Sequence, residues 1–174
     1  MMSLPLQTPG EDPRYTKRGA LYVPAGEGPT IWAAGDVYTI KATASQTGGR
    51  FGFIDASVPP GGGPEAHVHN DHDETFFLMS GELEFLDGGD TFTARAGDFI
   101  HVPRGTRHRF KNNGLHAVKM IFLFTPGGPD EGFIDLFPKA VPGELPGPPT
   151  EEQIERMMTM GARTNTDILP DLPQ

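Results

Sequence analysis

The sequence predicts an all-β fold, an antiparallel barrel or sandwich of short strands, with a short helical extension at the C-terminus. Gly 23 and Pro 18 make up nearly a quarter of the 174 residues, which is high for a helical protein but natural for many strands joined by turns. β-rich segments alternate with turn signals from residue 21 to residue 124. The close spacing of these turns is that of an antiparallel barrel or sandwich.

Eight segments have the composition and the alternation of apolar and polar residues that are typical of β-strands. They are residues 36–44, 50–58, 74–79, 83–86, 91–94, 99–102, 107–111 and 117–124. Turn signals rich in Gly, Pro, Asn and Asp separate many of them. These turns lie at residues 47–49, 59–63, 87–90, 103–105 and 112–114.

The chain has the usual length of one domain, which we divide into three parts. Residues 1–29 form an N-terminal arm broken by prolines, residues 30–126 form the β-barrel, and residues 127–174 form the C-terminal extension. A short helix is predicted over residues 131–137 of that extension.

A second helix is predicted near residues 151–160, where Thr150 and Gln153 have the spacing of a capping box. We expect this helix to end at Gly161 and to present Ile154, Met157 and Met158 on one apolar face. The helix is either a lid over the barrel mouth or a packing element on the barrel wall or on a partner subunit. Because the arm and this helix are longer than barrel closure requires, we expect a homodimer.

Composition narrows the possible partners. Lys+Arg 14 against Asp+Glu 23 gives a net charge of −9, so nucleic acid and anionic membrane surfaces would repel the chain on average. The chain contains no cysteine, so any bound metal must use nitrogen and oxygen ligands. The N-terminal residues lack the basic and apolar pattern of a signal peptide and no stretch has transmembrane length, so we expect a cytoplasmic protein.

All six histidines lie between His67 and His116. The segment His67-Val68-His69 falls where a strand is expected, and side chains two residues apart on a strand share a face. Two imidazoles therefore point the same way. This arrangement predicts that two nitrogen donors converge on one point.

A carboxylate follows within the next strand. Glu74, Phe76 and Leu78 share one face there, so the carboxylate meets an apolar lining. Burying a carboxylate in an apolar interior is unfavourable unless the carboxylate is paired or bound to a cation. This suggests a metal ion beside the two histidines. His108 follows a Pro-Arg-Gly turn that directs it towards the same interior.

These residues closely resemble the two motifs of the cupin superfamily. The motifs read Gly61-x(5)-His67-x-His69-x(4)-Glu74-x(6)-Gly81 and Gly97-x(5)-Pro103-x-Gly105-x(2)-His108-x(3)-Asn112. The resemblance covers residues 30–126 and implies a jelly-roll barrel. It also implies that His67, His69, Glu74 and His108 hold one divalent ion, for which Fe, Ni, Mn, Co and Zn all suit the ligands.

Four further residues are predicted to bind substrate around the ion. Phe76, Leu78 and Phe110 share the strand faces of Glu74 and His108, so they should line an apolar cavity. His101 either lines this cavity near the metal or faces the surface. The remaining histidines, His72 and His116, are expected to be exposed in loops and are left out of the site.

The resemblance implies a metal-dependent enzyme acting on a small molecule. The leading hypothesis is a dioxygenase similar to quercetin-dioxygenase-like cupins, with a metal-chelating enol, phenol or diketone as substrate and with Glu74 as a ligand or proton acceptor. One alternative is a redox-neutral cyclase or isomerase in which the ion acts only as a Lewis acid. Another is a cupin that binds a small ligand without catalysis.

Overall fold

The computed structural model describes residues 12–144, 147 and 150–171, and it consists mainly of two antiparallel β-sheets. In spatial order, the six-stranded sheet contains β1 (Thr30–Ala33), β2 (Asp36–Ala42), β3 (Gly52–Val58), β10 (Val118–Thr125), β5 (Asp73–Ser80) and β8 (Phe99–Val102). The five-stranded sheet contains β11 (Thr166–Ile168), β4 (His67–His69), β9 (His108–Lys111), β6 (Glu82–Asp87) and β7 (Asp90–Arg95). The sheets face each other in a jelly-roll arrangement, which confirms the predicted fold class.

The strands form because apolar residues alternate with polar ones along them. In β2 and β3, every second residue is buried and the residues between are half-buried. The buried faces of the two sheets meet in a core rich in aromatic rings. Phe76 of one sheet and Phe85 of the other pack edge to face, with ring centroids 5.1 Å apart. This contact between the two rings joins the two sheets across the core.

Among the described residues, three α-helices accompany the sheets: α1 (Ala44–Thr47), α2 (Pro129–Leu136) and α3 (Glu151–Arg163). A short 3-10 helix spans Pro13–Tyr15 in the part of the N-terminal arm that the structure describes, whereas residues 1–11 of the predicted arm lie outside the described residues. No helix within the described part of the chain combines the length and apolarity needed to cross a membrane.

The first predicted strand is too long. Residues 36–44 were expected to be continuous, but β2 ends at Ala42 and α1 begins at Ala44. Thr43 causes the change because its side chain accepts a hydrogen bond from the Gln46 backbone while the Gln46 side chain accepts one from the Thr43 backbone. This capping box starts a helical turn where the apolar pattern alone indicated strand.

The predicted capping box of α3 is confirmed, but the predicted end of the helix is wrong. Thr150 and Gln153 exchange both hydrogen bonds, and α3 then continues through Gly161 to Arg163. Gly161 is buried where α3 crosses β11, and a Cβ atom there would lie 3.0 Å from the Thr166 carbonyl oxygen. The glycine therefore permits close approach between helix and strand instead of ending the helix.

Candidate metal centre

Two neighbouring strands and one strand of the opposite sheet bring the predicted ligands together. In the five-stranded sheet, β4 pairs with β9 so that His67 stands opposite His108. His69 lies two residues along β4, on the same face as His67. Glu74 projects from β5 of the other sheet and contacts His108 across the core. The jelly roll thus encloses the cluster between its two layers.

The four side chains form a compact group that could hold a metal ion. One candidate ligand atom from each of His67, His69, Glu74 and His108 lies within 4.8 Å of the others. The Glu74 Oε2 atom lies 2.9 Å from His108 Nε2 and 3.2 Å from His69 Nε2. His69, Glu74 and His108 are buried, so the group is shielded from bulk water.

Each imidazole is also held from its outer side. The Nδ1 atom of His67 lies 2.7 Å from the Glu65 carbonyl oxygen, and that of His108 lies 3.0 Å from the Thr106 carbonyl oxygen. The Nδ1 atom of His69 lies 2.9 Å from the Thr166 hydroxyl oxygen. These contacts orient the rings so that Nε2 of each faces the centre of the cluster, as second contacts of metal-binding histidines do.

The charges within the group are strongly coupled. Burial alone would raise the pKa of Glu74, but the hydrogen bond from His108 and the nearby His69 ring lower that pKa to about 2. Burial lowers the pKa of His67 to about 3, with the positive charges of the neighbouring imidazoles adding to the effect. For His108, burial opposes the charged form, yet the contact with Glu74 raises the pKa above its ordinary value. The contact between Glu74 and His108 therefore favours the ionised carboxylate and the protonated imidazole.

The donor set fits a divalent cation. His69 Nε2 is buried and has no hydrogen-bond partner among the described residues, even though Glu74 lies nearby. A buried polar atom without a partner is unfavourable, and a cation at the centre of the group would satisfy it. Three imidazoles and one carboxylate suit Fe, Ni, Mn, Co or Zn, in agreement with the prediction of a divalent metal site.

A cavity of about 90 Å³ opens onto this group, room for several water molecules. His67, His69 and Glu74 form part of its wall. Aromatic side chains supply much of the remainder, namely Phe110, Phe122, Phe124, Phe133 and Phe137. The C-terminal extension covers one side with Met157, Met160, Gly161, Thr166 and Ile168. The cavity is therefore a small apolar chamber with one polar end.

The predicted substrate-binding residues lie in three different environments. Phe110 borders the cavity, as expected. Phe76 and Leu78 are fully buried in the core and do not border it. The Phe76 ring packs 6.2 Å from the His108 ring, measured between centroids, so it supports a ligand from behind.

The prediction that His101 lines the cavity is wrong. His101 stands opposite Thr75 in the pairing of β5 with β8, and Thr75 lies on the face of β5 away from Glu74. The His101 ring is consequently exposed, with Nδ1 3.0 Å from the Thr75 hydroxyl.

The two histidines that were left out of the site also lie outside the metal cluster. His116 is exposed, as predicted, whereas His72 is half-buried with Nδ1 2.8 Å from the Pro126 carbonyl oxygen.

Several residues that line the cavity were not predicted from the sequence, among them Tyr38 and Thr166. Tyr38 of β2 lines it, and the Tyr38 hydroxyl donates a hydrogen bond to Asp36 Oδ2 at 3.0 Å. Alternation along β2 could have placed Tyr38 inside, but nothing in the pattern marked it as a neighbour of the ligands. Thr166 was missed because no motif connects it to a histidine 97 residues away.

Comparisons with known proteins agree with this geometry. A family model described as Cupin domain matches residues 55–124. The chain is 30% identical over 103 residues to quercetin 2,3-dioxygenase from Bacillus subtilis, a match covering 59% of this chain and 30% of that protein. It is 29% identical over 123 residues to polyketide synthase CurC from Streptomyces cyaneus, covering 68% of this chain and 79% of that protein.

Among solved structures, the crystal structure of a predicted oxalate decarboxylase from Thermotoga maritima has the same fold. It matches with a TM-score of 0.57 at 19% identity, covering 60% of this chain and 98% of that one. Sequence motifs, family match and fold all agree, and the chain belongs to the cupin superfamily.

Proposed function

We propose that this cupin is a metal-dependent dioxygenase that acts on a small, metal-chelating enol, phenol or diketone. The observation that carries the proposal is the apolar chamber that ends at the cluster of His67, His69, Glu74 and His108. A divalent ion bound there supplies a Lewis acid and, where its redox state allows, electrons for the chemistry of O₂. Both oxygen atoms of O₂ would then enter the product.

The ligand set leaves room for a substrate. Three imidazoles and one carboxylate leave one or two positions free on a five- or six-coordinate ion. Because three of the four ligands are buried and the chamber beside them is mainly apolar, a substrate reaches them by displacing water from an apolar space. This exclusion of water strengthens the electrostatic interactions between the site and a bound anion.

The size of the chamber points to a small substrate. Its volume of about 90 Å³ is below the roughly 300 Å³ at which pockets for drug-sized ligands begin. Rings from Phe110, Phe122 and Phe124 offer flat apolar surfaces beside the polar end. A small planar molecule with two adjacent oxygen atoms fits this combination, whereas a large flavonol would need α3 or its side chains to move.

Glu74 is the residue best placed to move a proton. Its Oε2 atom lies 2.9 Å from His108 Nε2, and the residue borders the chamber. When the histidines turn their lone pairs to a cation, the carboxylate can remain a ligand or accept the acidic proton of an incoming enol.

A redox-neutral cyclase or isomerase is the second candidate. The match to polyketide synthase CurC spans 79% of that protein, more than the 30% spanned in the quercetin dioxygenase. The same chamber and the same Glu74 would serve such a reaction, with the proton transferred within one substrate and no O₂ consumed.

An oxygen electrode separates these candidates. The protein is loaded with Fe, Ni, Mn, Co or Zn in turn and tested against catechols, small β-diketones and flavonols, in air and under argon. Oxygen uptake that is lost in Glu74→Gln and His69→Ala but kept in the exposed control His116→Ala supports the dioxygenase. Equal conversion of a substrate in air and under argon would rule out the dioxygenase and support the cyclase or isomerase instead. Metal-dependent binding without conversion would overturn both and leave a ligand-binding protein.

A further inference from the structure

The C-terminal extension reaches the candidate metal ligands directly. β11 pairs with β4 so that Thr166 stands opposite His69 and Ile168 opposite His67. The extension lies outside the region matched by the family model, which ends at residue 124. We propose that Thr166 is a positioning residue, which holds His69 in the tautomer that directs a free Nε2 lone pair at the metal. This inference rests on the proposed metal centre and deepens it.

The direction of the hydrogen bonds follows from their terminal acceptor. The carbonyl oxygen of Met160, in the last turn of α3, can only accept, so the Thr164 hydroxyl donates to it at 2.8 Å. The Thr164 oxygen is then free to accept from the Thr166 hydroxyl, 2.9 Å away. With its proton used in this way, the Thr166 oxygen accepts from His69 Nδ1, also at 2.9 Å. His69 therefore carries its proton on Nδ1, and Nε2 has the lone pair.

The other two histidines need no such long-range support. His67 and His108 each present Nδ1 to a carbonyl oxygen two residues earlier, on Glu65 and Thr106. Because a carbonyl oxygen cannot donate, those contacts place a proton on Nδ1 by local backbone geometry. His69 differs because its acceptor is a hydroxyl group, which could also donate. The chain of hydrogen bonds from Thr166 through Thr164 to the Met160 carbonyl, which we call the relay, makes the Thr166 hydroxyl an acceptor towards His69.

The close packing of α3 on β11 keeps the relay in place. Gly161 lies against Thr166, and a Cβ atom at Gly161 would come within 3.0 Å of the Thr166 carbonyl oxygen. Gly161 and Thr166 both line the chamber. The last turn of α3 thus supplies the acceptor for the relay and also forms part of the substrate wall. Without the extension, His69 would lose its outer contact and the chamber one side.

The first test measures the tautomer in the metal-free protein. Nitrogen-15 NMR of labelled histidine, recorded at high pH where the imidazoles are neutral, distinguishes a proton on Nδ1 from one on Nε2. We expect His69 to carry it on Nδ1 in the wild type, to lose this preference in Thr166→Val, and to regain it in Thr166→Ser. Thr159→Val is the matched control, because Thr159 is exposed on α3 and its hydroxyl donates to the Glu155 carbonyl of the same helix.

The second test measures Zn(II) and Co(II) affinity by competition with a chelator. Loss of an outer contact of a metal-binding histidine weakens affinity by about 10- to 100-fold, so we expect that loss in Thr166→Val. Thr166→Ser should bind within a few-fold of the wild type, and Thr159→Val should be unchanged. Circular dichroism establishes that each variant is folded. If Thr166→Val does not fold, Thr166→Ala takes its place.

Several results would overturn the inference. A wild-type His69 with its proton on Nε2 would contradict it regardless of any variant. An unchanged tautomer and affinity in Thr166→Val would show that the hydroxyl has no positioning role. If Thr166→Ser binds metal as weakly as Thr166→Val does, the loss of affinity comes from altered packing and not from the missing hydroxyl. If no metal binds the wild type, the proposed function fails, yet the tautomer measurement still decides the role of Thr166.

Discussion

Asp36 is a buried carboxyl group whose hydrogen-bond partner, Tyr38, lines the chamber. Burial raises the pKa of Asp36 to about 7, although the hydrogen bond from the Tyr38 hydroxyl acts in the opposite direction. In the unfolded chain the same group titrates near 3.8. Between these two values the folded protein holds a proton that the unfolded chain has released, so its stability falls as pH rises from about 4 to 7.

We predict that Asp36→Asn removes this part of the pH dependence. The interval from 3.8 to about 7 corresponds to on the order of 4 kcal/mol of unfolding free energy, an upper estimate for one group. Urea unfolding at pH 5 and pH 8 measures the effect. The wild type should lose more stability than the variant between these two values. Equal losses in both proteins would show that Asp36 is ionised throughout.

The histidines of β4 and β8 show what strand alternation can and cannot predict. Alternation places His67 and His69 on one face, and the structure confirms that pairing at the cluster. It fails for His101 because Phe99, Ile100 and Val102 make both faces of β8 apolar in sequence. Alternation along a strand shows which residues share a face. Which of the two faces is buried depends on how the strand pairs with its neighbours in the sheet. Phe99 and His101 are exposed, while Val102 is buried.

At the scale of elements, the loop before β4 depends on two glycines with different constraints. Gly61 has a φ of +80° with open space where a Cβ atom would lie. Gly63 has a φ of +120°, and a Cβ atom there would come within 2.2 Å of the Phe110 carbonyl oxygen. Phe110 belongs to β9, which also carries His108, so this contact fixes the loop against a ligand strand.

We therefore predict unequal effects of two alanine substitutions. Gly61→Ala should lower the unfolding free energy by about 1–2 kcal/mol, the strain of a positive φ. Gly63→Ala should lower it by about 3 kcal/mol or more, because the backbone must also move. Thermal or urea unfolding compares the two. Similar losses would show that the loop can shift away from β9 without difficulty.

The elements that sequence reasoning missed depend on distant contacts. The eight predicted strands of the central region are present, since each carries its own alternation or turn signal. β11 has only three residues and forms because β4 lies alongside it, 97 residues away at Thr166 and His69. No local pattern encodes such pairing. The same reason explains why the four ligands were found from motifs whereas Thr166 and Tyr38 were not.

At the scale of the whole molecule, we predict that metal binding stabilises the fold. The cluster joins strands of both sheets, so an ion held there links the two layers. A ligand at 100 times its dissociation constant contributes about 2.7 kcal/mol. Differential scanning calorimetry at pH 8 should show a higher melting temperature for loaded protein, reversed by a chelator. A melting temperature that does not respond to metal or chelator would contradict this.

The homodimer stays a prediction, for which α3 provides a surface to test. Met157 points towards the chamber, whereas Ile154 and Met158 are 49% and 62% exposed. These two side chains suit an apolar contact with a second copy. Analytical ultracentrifugation at tens of micromolar should show a dimer that Ile154→Glu with Met158→Glu weakens. A wild-type monomer would refute the prediction.

Finally, we predict that His67, His69, Glu74 and His108, which come from two sheets, together hold one divalent ion. Elemental analysis after loading with Fe, Ni, Mn, Co or Zn and removal of free metal tests it most directly. We expect about one ion per chain for the wild type and for His116→Ala, and a strong loss of metal in His67→Ala and His108→Ala. Well under half an equivalent of every metal in the wild type, or full occupancy in His108→Ala, would contradict it.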